Sequence, residues 1–96
     1  MILGTKEVLL VMQQSLLGEV SARLRAVTVR ISDDHLHFDC YYDGIIDEDD
    51  SESMFCVEAE AIAVLPENIE VTHDLHRLDS PLLLPKVDLF VYARRE

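Results

Sequence analysis

Basic residues are scarce in this 96-residue sequence: 8 Lys and Arg stand against 19 Asp and Glu, leaving a formal charge of −11. A surplus of that sign opposes approach to phosphate backbones and anionic lipid and speeds encounter with basic proteins. Nucleic acid and membrane are therefore excluded as expected partners. Glycine occurs only at positions 4, 18 and 44, too few and too scattered for a Gly-rich phosphate cradle. Cys40 and Cys56 lack metal-ligand spacing and each lies among apolar neighbours, so both read as buried, reduced thiols. The first residues lack the basic start, apolar stretch and small-residue cleavage site of a signal peptide. The longest apolar run, residues 8–12, is too short to cross a bilayer. The expectation is a soluble cytoplasmic protein, and 49% hydrophobic content over this length suits one domain, residues 1–96, around one core.

What is abundant is acid, concentrated in one place. Between Asp43 and Glu60 the chain carries eight carboxylates and no Lys or Arg. The run Asp47-Glu48-Asp49-Asp50-Ser51-Glu52 lies between the Asp43-Gly44 turn and a helix-like apolar stretch, so the charge is held on a fold and is not an acidic tail.

Periodicity organises the rest. Thr5 is placed to cap a helix through Val8, Leu9, Met12 and Leu16 that stops at Gly18. From residue 24 the period becomes two, and residues 24–42 read as a β-hairpin turning at Ser32-Asp33-Asp34. Val27, Val29, Ile31, Leu36, Phe38 and Cys40 form its apolar face. A second helix follows, with Asp47 or Asp49 as N-cap and, for Asp49, Glu52 completing a capping box; crowded carboxylates suit the positive end of its dipole. Met54, Val57, Ala61 and Leu65, with Ile62, give the expected buried stripe, and Pro66 ends it. Ile69, Val71 and Leu75 mark a third strand and Val87, Leu89, Val91 and Ala93 a fourth. The predicted fold is α+β in the order α-β-β-α-β-β, a four-stranded antiparallel sheet with both helices on one face.

Catalytic and metal motifs are absent by the same reading. A calcium loop starting at Asp39 fails because its third position is Tyr41, its twelfth is Asp50 in place of a bidentate Glu, and a strand precedes it. His35 and His37 share a strand face with Asp39, and His73 or His76 could add a ligand for zinc. An ordinary polar sheet face explains them as well and is the preferred reading, so no metal or cofactor is expected. Ser15 lies inside a helix with no nucleophile elbow, and neither cysteine has an activating pair, so no enzyme is expected. Tyr41, Phe90 and Tyr92 are predicted on the same outer sheet face as His35, His37 and Asp39, a composition suited to an interface.

Several short segments carry a family likeness: Gln14-Ser15-Leu16-Leu17-Gly18-Glu19-Val20, Leu24-Arg25-Ala26-Val27, Tyr42-Asp43-Gly44, residues 58–63 and Arg94-Arg95-Glu96. Together they resemble small acidic bacterial immunity proteins of polymorphic-toxin and contact-dependent-inhibition loci. That resemblance implies binding and neutralisation of a cognate toxin domain, often a basic nuclease, and assigns no residue a contact. The expected binding surface is Asp43, Asp47, Glu48, Asp49, Asp50 and Glu52, flanked by Tyr41 and Tyr92, facing a basic protein partner. The alternative is a small acidic homodimeric chaperone for a secreted effector, and a homodimer suits the outer sheet face as well as a foreign partner does.

Overall fold

A β-hairpin forms the middle of the sheet. In the computed structural model, which describes residues 4–86 and 89–96, β1 (Leu24–Ile31) and β2 (His35–Tyr42) pair antiparallel. Val27 lies opposite Cys40, Val29 opposite Phe38 and Ile31 opposite Leu36, so the apolar sets of both strands share one face. Helix α2 (Glu48–Val64) then carries the chain back to β3 (Glu70–Arg77), which pairs with β2, and β4 (Phe90–Ala93) pairs with the other edge of β1. The spatial order is β3-β2-β1-β4.

This corrects the expectation of an all-antiparallel sheet. β2 and β3 are parallel, in continuous register from His35 opposite Glu70 to Tyr42 opposite Arg77. A parallel return needs a crossover of a dozen or more residues, usually a helix, and α2 with its flanks supplies it. The short-connection argument held for the hairpin and failed here, because the element between β2 and β3 was itself the connection.

Helix α1 (Thr5–Leu16) packs against α2 and β4, and α2 packs against β3. Val8, Met12 and Leu16 of α1 meet Met54, Val57 and Ala61 of α2 over Leu36, Phe38, Cys40 and Tyr42 of β2 in one buried cluster. Full burial of a side chain such as Leu36 or Phe38 contributes about 1.5–3 kcal/mol. Among the described residues, no helix is long and apolar enough to cross a membrane.

Local details depart from the expected pattern at the start of α1, at Ile62, at Cys56 and at β4, while α1 stops at Gly18 as expected. Gly4, not Thr5, is the N-cap of α1, and no side chain caps it. Gly18 sits just past the C-terminus of α1 at φ +83°, a conformation that glycine adopts without steric cost. Ile62 points outward at 52% exposure, and Cys56 is exposed while Cys40 is buried. At β4 a register irregularity pairs Tyr92 with Val27 and Phe90 with Thr28, leaving Val91 between them. A bulge of this kind turns consecutive residues toward one side. Tyr92 therefore lies on the helix side, beside Leu16 and Val20, not on the outer face with Tyr41 and Phe90. The expected strand positions Val87 and Asp88 lie outside the described residues.

Candidate functional site

The acid-rich window begins where β2 ends. Asp47 is the N-cap of α2: its Oδ1 accepts the Asp50 backbone N–H at 2.9 Å, and Asp50 Oδ2 accepts the Asp47 backbone N–H at 3.0 Å. The capping box is thus Asp47 with Asp50, where Glu52 had been the expected partner of an Asp49 cap. Asp50, only 4% exposed, also meets Arg23 Nη2 at 2.8 Å, and the same guanidinium reaches Asp47 at 3.2 Å and donates to the Ile45 carbonyl at 2.6 Å. The backbone N–H of Asp50 and the charge of Arg23 outweigh desolvation and hold the Asp47 carboxyl below the ordinary range.

Asp43 is tied down by a second cluster. Its Oδ2 accepts from Arg94 at 3.2 Å and its Oδ1 from the Ser80 backbone N–H at 3.2 Å, while Asp79 accepts the Gly44 backbone N–H at 2.7 Å. Arg94 also binds Glu96, which accepts two bonds from buried Arg25 at 2.6 and 2.8 Å; Arg25 donates its remaining Nη1 to the Leu78 carbonyl. These bonds, led by the one from Arg25, pull the Glu96 carboxyl down to about 2 against the cost of desolvation.

The window therefore divides. Asp43, Asp47 and Asp50 are held by bonds within the chain, Asp50 buried and Asp47 still half-exposed. Glu48, Asp49 and Glu52 are exposed and enter no ion pair among the described residues. At helical spacing Glu48, Glu52, Phe55, Ala59 and Ile62 fall on one face of α2, opposite the buried Met54, Val57 and Ala61. Phe55 and Ile62 on this face are 61% and 52% exposed. Both were missed as surface residues, although apolar positions on two sides of one helix already pointed to a second stripe. Phe55 stands edge-on to His73 at 4.9 Å, and His73 stacks on Phe38 and bonds Glu58 at 2.9 Å, which fixes this margin of the helix to β3.

The opposite, outer face of the sheet carries a separate polar network. Tyr41 is there, stacked on His76 at 5.1 Å, on the side of the sheet away from α2. Thr72 Oγ1 lies 2.7 Å from His35 Nε2 and 2.6 Å from His37 Nδ1; Asp39 Oδ1 lies 3.2 Å from His37 Nε2 and 2.8 Å from His76 Nε2. Burial works against the Asp39 charge, but the His76 hydrogen bond and the nearby His37 more than offset it, and its pKa lies below the ordinary value. Tyr92, on the helix side, belongs to neither surface.

No curated protein matches the sequence. The sequence profile of the MafI2 immunity proteins does, over residues 5–96. The chain belongs to the MafI2 immunity protein family. Membership makes it an immunity protein of a polymorphic-toxin-type locus, with a toxin-neutralising role and a cognate toxin protein as partner. The resemblance drawn from short sequence segments pointed to the same class.

Proposed function

We propose that this MafI2 family member neutralises its toxin in the cytoplasm without catalysis, by covering a basic toxin surface with the exposed face of α2. The observation that carries this reading is the division of the acidic window. Glu48, Asp49 and Glu52 project three carboxylates that meet no cation among the described residues, and Phe55 and Ile62 continue the face of Glu48 and Glu52 with exposed apolar surface. Clustered charge accelerates encounter with an oppositely charged partner, while desolvated aromatic and aliphatic anchors slow its departure. The free carboxylates sit in the first turns of α2, where the positive end of the helix dipole stabilises their charge and where Asp47 and Asp50 are already committed to the cap.

The test is titration of the cognate toxin domain with Phe55→Ala and Ile62→Ser variants. The proposal expects each to weaken binding through faster dissociation, Phe55→Ala by roughly tenfold or more, as for an interface anchor. Unchanged dissociation in both would place the toxin elsewhere.

A further inference from the structure

The parallel pairing of β2 and β3 sets two pairs of metal-ligating side chains next to each other on the sheet. In register, Asp39 lies opposite Asp74 and Tyr41 opposite His76, so His37-x-Asp39 on one strand stands beside Asp74-x-His76 on the next. All four side chains belong to the outer face, because positions two apart on a strand point the same way. We propose that His37, Asp39, Asp74 and His76 form a binding site for a divalent transition metal of the zinc class.

Geometry supports the assignment. A tetrahedral ion with bonds of about 2.0–2.1 Å separates its ligand atoms by roughly 3.3 Å. His37 Nε2 is 3.2 Å from Asp39 Oδ1 and 3.3 Å from Asp74 Oδ2, and the donor atoms of these three residues all lie within 4.8 Å of one another. His76 Nε2, 2.8 Å from Asp39 Oδ1, lies outside this compact trio and becomes the fourth donor when its side chain turns toward His37 and Asp74. Arg30 approaches the other oxygen of Asp39, Oδ2, at 3.6 Å and leaves Oδ1 for the metal.

The surroundings orient the ligands. With the metal bound, His37 Nδ1–H donates to Thr72 Oγ1 and the Thr72 hydroxyl donates to His35 Nε2, which directs the His37 Nε2 lone pair at the ion. Without metal, a neutral His37 that carries its proton on Nε2, toward the carboxylates, runs the same chain the other way, with Thr72 donating to His37 Nδ1 and His35 Nε2–H donating to Thr72. One relay of protons thus serves both states. Two imidazole nitrogens with two carboxylate oxygens suit zinc, cobalt or nickel, and not calcium or magnesium, which take oxygen ligands in larger number or in octahedral order. The bound ion would fasten edge strand β3 to β2 on the face away from α2, so this site stands independently of the proposed toxin surface.

Isothermal titration with zinc chloride, and cobalt absorption spectroscopy, test the proposal in a Cys56→Ser background that removes the exposed thiol as a competing ligand. The expected result is one zinc per chain and a visible tetrahedral cobalt band, with affinity reduced at least roughly tenfold by Asp74→Asn and by His37→Gln. Asp74 is 66% exposed, so its substitution leaves the fold in place, and unchanged circular dichroism verifies this. His73→Ala, altered on the helix side, leaves binding as it was. Absence of stoichiometric binding overturns the site, as does zinc affinity that neither Asp74→Asn nor His37→Gln alters.

Discussion

The arginines decide which carboxylates are available. Arg23 holds Asp47 and Asp50, Arg94 holds Asp43, and Arg25 holds Glu96, so three of the four are stitched between the start of β1 and the far end of the chain or the entrance of α2. Replacing the Asp47 cap by Ala is expected to lower stability, read as a reduced midpoint in urea unfolding. Glu96 gives a pH signature. Its folded pKa, about 2, lies below its ordinary value of 4.5, so the stability it contributes is complete above the ordinary value and disappears as pH falls through 4.5 toward about 2. Glu96→Gln should therefore be less stable than the parent at neutral pH, with the difference closing over that acid interval; a constant gap down to the lower limit would contradict the Arg25 pairing. None of these pairs was legible in the sequence. Arg23 precedes Asp50 by 27 positions and Arg25 precedes Glu96 by 71, and only the fold brings them together.

At the scale of elements, local chemistry was readable wherever one face alone was buried. The alternation of β1 and β2 identified their inward residues, and Asp47 was one of two N-caps considered for α2. Parallel pairing of β3 was not readable, because period-two alternation is the same in either direction and a helical crossover makes direction a tertiary matter. The bulge in β4 likewise moved Tyr92 to the helix side without any change of residue type. α2 shows the opposite problem, with apolar residues on both its buried and exposed faces, so Ile62 joined the core by hydrophobicity and the surface by angle. Placing charge on that exposed face measures its role: Ala59→Lys should abolish tight toxin binding while leaving the unfolding free energy within about 0.5 kcal/mol of the parent, as for a surface substitution. Full binding by this variant would remove the outer stripe of α2 from the interface.

For the whole molecule, a net charge of −11 raises the question whether toxin capture depends on total charge or on its placement. The chain gives a natural comparison. Glu48, Asp49 and Glu52 lie at the end of the sheet where β2 runs into α2, while Asp33, Asp34 and Glu67 are also exposed, at the other end, around the hairpin turn and the exit of α2. Neutralising either trio changes the formal charge by the same amount. Local steering depends on which carboxylates face the partner and is screened over about 10 Å at 0.1 M salt. The decisive measurement is the association rate with the cognate toxin domain across a salt series for Glu48→Gln/Asp49→Asn/Glu52→Gln and for Asp33→Asn/Asp34→Asn/Glu67→Gln. The account predicts that the first trio slows association by roughly tenfold and flattens its salt dependence, while the second leaves both close to the parent. Equal slowing by the two trios, or slowing by neither, would contradict it.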